Sequence, residues 1–241
     1  MTQLENKQIL ILGGTSGFGY AVALMALQQH AQVSITGRDA KKLKQCIDTF
    51  KTQGFDVHGE IFDGYQANAA QQLASRLNEY DHIISTVGSF MGGGFLSASY
   101  ETIIKAISEK FNANLAIAQA FASHIGTGGS LTFTAGSGGK PYNASGAIIG
   151  NQNIRLLVQG LAVELAPNIR VNAVSPTWTE TPLWRDLPSE QVEAIKTTQA
   201  AQIPLKRTAK IEEVASAYIF LMQNSFITGQ TIAVDGGIDL V

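Results

Sequence analysis

The chain has 241 residues, 45% hydrophobic and 15% charged, with a formal net charge of −2. That balance supports one sizeable core, excludes a disordered chain and gives no electrostatic basis for a nucleic-acid partner. A single cysteine, Cys46, excludes an intrachain disulfide and argues against a cysteine-rich metal site.

The opening "MTQLENKQILILGG" lacks the basic-then-apolar pattern of a secretion signal. No apolar run reaches the roughly 18 residues that span a bilayer, so a cytoplasmic protein without a membrane partner is expected. Along the chain, short apolar runs alternate with stretches of helical spacing. Strands are predicted over residues 8–14, 32–37, 56–62, 82–88, 130–135, 169–175 and 229–237. Helices are predicted over 21–31, 40–54, 66–80, 100–125, 148–165 and 212–222. The strands are continuous apolar runs, which is what burial on both faces requires. Alternation of β and α from end to end predicts an α/β fold: a doubly wound parallel sheet of about seven strands with helices on both faces. No linker or repeat interrupts it, so residues 1–241 read as a single Rossmann-type domain. Ligands of such a sheet sit beyond the carboxyl ends of the strands.

The turn after the first strand is "GGTSGFG", residues 13–19. Gly13, Gly17 and Gly19 let the backbone turn sharply and approach a pyrophosphate, and Thr15, Ser16 and Phe18 fill the turn between them. The N–H groups that open the following helix face such a phosphate. After the second strand comes "TGRDAKK". An acidic residue at the strand end would bind a ribose 2′-hydroxyl, but Gly37 stands there, followed by Arg38. A guanidinium suits a 2′-phosphate, which favours NADP(H) over NAD(H). Asp39 has the place of a helix N-cap.

With these features in place the chain resembles the short-chain dehydrogenase/reductase family over nearly its whole length. The glycine turn has the family's spacing, with Leu12-Gly13 in place of its usual Thr-Gly start. The similarity continues through "FDG", "FNANLAIAQAF", "LAVELAPNIRVNAVSPTWTETPL" and "FITGQTIAVDGG". The resemblance implies that Asp63 contacts the adenine and that Asn114 is the catalytic asparagine. It also implies that Gly88 and Pro176 border the cofactor and that Thr181 meets the nicotinamide carboxamide. It implies a small-molecule substrate and pairing into a homodimer or homotetramer through the fourth and fifth long helices.

The departures fall on the active site. The family's Asn-Asn-Ala-Gly is Ser85-Thr86-Val87-Gly88 here, and its Pro-Gly is Pro176-Thr177. "YNASG" resembles the family's Tyr-x-x-x-Lys stretch with Gly146 in place of the lysine. Counting back from "GLAVELA" instead places Ala147 at the tyrosine and Asn151 at the lysine, with Tyr142 in the loop before the helix. Inserting five residues into a packed helix would rotate every core contact, which favours the second register. Either register removes the lysine that holds the ribose and lowers the tyrosine pKa. Asn151 can hydrogen-bond a ribose but carries no charge. The serine position falls on Gly136 or Ser137, and Tyr142, near Lys140, is a candidate proton donor. Glu180 reads as a solvated carboxylate and the four histidines as structural. Residues 177–207 correspond to the family's substrate lid, in which Trp178, Leu183 and Trp184 form either an apolar wall or a loop anchor. "SFMGGGFL", residues 89–96, lies opposite. Two main functions follow: an NADP(H)-dependent oxidoreductase of carbonyls or alcohols with a divergent site, or a cofactor-binding sensor or scaffold without turnover. A non-redox enzyme reusing the pocket is a third.

Overall fold

A computed structural model describes residues 3–241 of the chain. Seven strands form one sheet: β1 (Gln8–Leu12), β2 (Gln32–Gly37), β3 (Val57–Ile61), β4 (Tyr80–Ser85), β5 (Ile125–Thr134), β6 (Arg170–Pro176) and β7 (Thr231–Val234). Their order is β3-β2-β1-β4-β5-β6-β7 and every pairing is parallel. The order reverses between β1 and β4, and the two crossovers leave in opposite directions there. A crevice therefore opens at their carboxyl ends.

The helices are α1 (Gly17–Leu27), α2 (Ala40–Thr52), α3 (Ala69–Ala74), α4 (Tyr100–Ile107), α5 (Ala113–Phe121), α6 (Ser145–Glu164), α7 (Ser189–Gln202) and α8 (Ile211–Gln223). Alternate residues of β1 divide the core. Ile9 and Ile11 pack with α1, α2 and α8 on one face, while Leu10 and Leu12 pack with α3, α5 and α6 on the other. Burial of both side-chain sets explains why the strand carries no polar alternation.

The expected helix over residues 100–125 is built from α4, a π-helical turn (Ser108–Asn112), α5 and a short 3-10 turn (Ala122–His124). β5 then begins at Ile125, five residues earlier than its apolar run indicates. Tyr80 pairs with Ile125 and His82 with Ser130, so the intervening glycines form an irregularity in the ladder. Gly129 is held so close that a Cβ there would lie 2.3 Å from the Asp81 carbonyl oxygen. The helix expected over 66–80 is only α3. Asn68, at φ 61, breaks the chain before it, and Tyr80 is already the buried first residue of β4.

Phe133 on β5 is fully buried among the second face's residues. Phe133→Ala is expected to lower stability by about 3–5 kcal/mol. Urea unfolding would read this as a lower midpoint at unchanged m-value.

Candidate active site and cofactor cleft

A cavity of about 880 Å³ occupies the crevice. The turn between β1 and α1 forms its floor. Gly13 has φ 93 and Gly17 φ 54, in the left-handed region that glycine tolerates. Gly19 packs behind them, and a Cβ there would lie 2.3 Å from the Gly13 carbonyl oxygen. The N-cap residue Ser16 makes no side-chain capping bond, and the first turn of α1 carries no acidic residue. The positive end of that helix is therefore left uncompensated at the cavity. Gly13, Thr15, Ser16, Gly17 and Phe18 all line the cavity, whereas Gly19 does not.

At the outer end, a Cβ on Gly37 would lie 2.5 Å from Thr15 Cγ2, so the strand end has no room for a side chain. Arg38 is exposed, with its guanidinium 5.2 Å from the centroid of the Tyr65 ring. Asp39 is the N-cap of α2. It accepts the Lys42 N–H at 2.9 Å, and that bond holds its carboxyl below the usual range. Asp63 lines the cavity and accepts the Tyr65 N–H at 3.2 Å. Burial pushes the Tyr65 hydroxyl up to about 12 and the Cys46 thiol up to about 11. Cys46 is thus a packed, protonated thiol at neutral pH.

The inner end is built around β4. Ser85 Oγ donates to Asn114 Oδ1 at 2.6 Å, and Asn114 Nδ2 donates to the carbonyls of Val87 (3.1 Å) and Lys110 (2.6 Å). Asn114 is fully buried and does not line the cavity, so it ties the segment after β4 to the α4–α5 helix. Thr86 Oγ1 lies 3.1 Å from the carbonyl oxygens of both Leu12 and Gly13, holding Gly88 and its neighbours beside the glycine turn. Helix α6 presents Ala147 and Asn151 to the cavity. A Cβ on Gly136 would lie 2.6 Å from Asn151 Nδ2, so the Asn151 amide rests on the end of β5. Ser137 lines the cavity with its Oγ 2.8 Å from Ser175 Oγ. Tyr142 is 76% exposed and outside the cavity, and Lys140 reaches away to the Val241 backbone oxygen at 2.7 Å. Pro176 and Thr181 line the cavity, and Thr181 lies directly over the glycine turn.

The segment after β6 forms the remaining wall. Trp178 and Trp184 stack at 5.6 Å, and Phe90 meets Trp184 edge-on at 4.8 Å from across the cleft. Leu183 also lines this end. Trp178 Nε1 is buried without a hydrogen-bond partner among the described residues. Glu180 pairs with Lys196 at 2.9 Å. Helix α7 has no buried residue.

Sequence reasoning passed over the charged residue at the inner end of this site. Lys110 sits in the π-helical turn, is 8% exposed and lines the cavity. Among the described residues its only hydrogen-bond acceptor is the Ala135 carbonyl, at 3.4 Å. Burial pulls its ammonium down from the ordinary 10.5 to about 8. The signal was present in "EKFNAN": a lysine four residues before Asn114, on the same helix face.

A parallel sheet with a glycine turn at its switch point and a cleft walled on both sides defines a dinucleotide-binding α/β protein. The family model described as Enoyl-(Acyl carrier protein) reductase matches residues 13–239. A short-chain dehydrogenase/reductase of Stachybotrys chlorohalonatus is 31% identical, covering 98% of both chains. A tropinone reductase homolog of Arabidopsis thaliana is 30% identical over 97% of this chain and 92% of its own. Among solved structures, the MalC reductase/Diels-Alderase of Malbranchea aurantiaca superposes with a TM-score of 0.88 at 28% identity, covering 99% of this chain and 98% of its own. The chain belongs to the short-chain dehydrogenase/reductase family, whose members bind nicotinamide cofactors and act on small molecules. Among the described residues no helix is long and apolar enough to cross a membrane, and no group of three or more metal-ligating side chains converges.

The buried lysine makes a prediction for the ligand-free protein. Its native pKa of about 8 lies below its ordinary 10.5, so the unfolded chain holds more protons between those values. Stability therefore rises with pH across that window and is lowest below it. In thermal unfolding, the Tm of the wild type is expected to gain on that of Lys110→Met as pH rises from about 8 to about 10. At neutral pH the variant is expected to match or exceed the wild type.

Proposed function

We propose that the protein is an NADP(H)-dependent oxidoreductase acting on a carbonyl or alcohol group of a small, largely apolar substrate, with a divergent catalytic site. The observation that carries this reading is one continuous cavity joining Arg38 at the outer end to Trp178 and Trp184 at the inner end. Between them lies the uncompensated N-terminus of α1.

The cavity's donors fit such a cofactor. The first-turn N–H groups of α1 would hold its pyrophosphate, with Gly13 and Gly17 allowing close approach. Arg38 would take a 2′-phosphate, and its exposure leaves the guanidinium open to one. The sterically closed position at Gly37 removes the place from which a carboxylate would repel that phosphate. Asp63 would border the adenine, while Gly88, Asn151, Pro176 and Thr181 would surround the nicotinamide end. When bound, a reduced nicotinamide supplies a hydride to a carbonyl carbon. The chain's own part is to orient both reactants and exclude water. Residues 177–207 act as the lid over them: α7 is only loosely attached, which suits opening and closing. The Phe90, Trp178 and Trp184 rings offer flat apolar contact to a substrate.

The test is titration calorimetry followed by a carbonyl screen. NADPH is expected to bind more tightly than NADH. Arg38→Ala is expected to weaken NADPH on the order of 10- to 100-fold, the worth of a charge-assisted hydrogen bond, and to leave NADH unchanged. Equal affinities for the two cofactors would refute the NADP preference. Binding without turnover on any carbonyl would refute the oxidoreductase reading in favour of a cofactor-binding scaffold.

A further inference from the structure

We propose that Lys110 is the cation of the cavity's nicotinamide end, donating from the α4–α5 helix to the ribose oxygens there in compensation for the uncharged Asn151 on α6. The assignment rests on the cofactor reading above.

The first support is the unmet demand of the ammonium. Nζ has three donors, and one acceptor at 3.4 Å leaves most of that capacity unused. An ammonium held away from water is costly unless hydrogen-bonded. Lys110 lines the cavity, so a ligand rich in oxygen acceptors would supply what the fold withholds.

The second support is the space made for the side chain. A Cβ on Gly88 would lie 2.8 Å from Lys110 Nζ, and one on Gly150 would lie 2.9 Å from Lys110 Cβ. Two missing side chains, one after β4 and one on α6, thus let the lysine pass between the elements and reach the end of β5. Gly150 immediately precedes Asn151, so the stem crosses α6 beside the residue it would complement. The π-helical turn places Lys110 there, and the Asn114 amide holds its backbone: Nδ2 donates to the Lys110 carbonyl at 2.6 Å. π-turns often coincide with functional positions.

The third support is the lack of a competing partner. Against the Lys110 side chain lie Gly88, the Ala135 carbonyl and Gly150, none of them ionisable; the Tyr65 hydroxyl hydrogen-bonds the Gly88 backbone, but burial pushes it up to about 12, so it carries no charge at neutral or mildly basic pH. On its own helix, Glu109 pairs with Lys105 at 3.7 Å, and burial is the only cause of the lysine's lowered pKa.

The experiment titrates two ligands into the wild type and Lys110→Met at about pH 7 and about pH 9.5, either side of the lysine's value. NADPH carries the nicotinamide ribose, and adenosine 2′,5′-bisphosphate lacks it. Lys110→Met is expected to weaken NADPH on the order of 10- to 100-fold at neutral pH and to leave the bisphosphate unchanged. Wild-type affinity for NADPH, relative to the bisphosphate, is expected to fall towards the higher pH as the ammonium loses its proton, whereas the variant's ratio stays flat. Cys46 and Tyr65, with values of about 11 and about 12, remain protonated and do not imitate this. Equal loss of both ligands would overturn the assignment in favour of a folding role. A wild type that binds NADPH no better than Lys110→Met at either pH would overturn the assignment alone. A wild type that binds neither ligand would overturn the cofactor reading and this assignment with it.

Discussion

The contact on which the site depends is the approach of Gly19 to the carbonyl of Gly13. No side chain fits between them, because a Cβ at residue 19 would overlap that oxygen at 2.3 Å. This contact sets the start of α1 against the end of β1 and turns the helix N-terminus into the crevice. Thr86 then bonds the carbonyls of Leu12 and Gly13, so the segment after β4 is referenced to the same turn. Thr181 reaches it from beyond β6. Two loops from separated parts of the chain are thereby registered on one backbone turn. Such a scaffold tolerates change in its reactive side chains, since the geometry that binds a nucleotide is made mostly of main chain.

That division separates the side chains of the inner end from the main-chain geometry that keeps the fold within the family. Ser85 and Asn114 form a buried hydrogen-bonded pair that joins β4 to the α4–α5 helix. Asn114 thereby positions Lys110 through its carbonyl, and positive charge enters the cleft from a different helix. A charge placed this way is expensive in the empty protein, and its low pKa is the mark of that cost. A ligand that supplies acceptors converts the cost into affinity.

Much of this was legible in the sequence, for identifiable reasons. The strands showed as apolar runs because both faces of the sheet are covered. The glycine turn and the Asp39 cap showed because their geometry is local, set within a few residues. The boundaries of α3 and β5 did not show: an αL residue at Asn68 and an irregular stretch of glycines paired to β4 depend on neighbours distant in sequence. Tyr142 drew attention by residue type, yet the loop before α6 turns it to solvent. Lys110 was passed over for the opposite reason. Its i,i+4 relation to Asn114 was legible, but its burial was not, because only the packing of α4–α5 against α6 encloses it. Trp178, Leu183 and Trp184 were expected as a wall or an anchor, and they line the cavity with Phe90 opposite.

The central claim is that one crevice holds a nicotinamide dinucleotide between the α1 turn and the Lys110 ammonium. A crystal structure of the protein grown with NADPH tests it most directly. The account predicts the pyrophosphate on the first turn of α1, the 2′-phosphate at Arg38, and Lys110 Nζ within about 3.2 Å of a ribose oxygen. A cofactor bound with its ribose away from Lys110, or a crevice left without NADPH at saturating concentration, would contradict it.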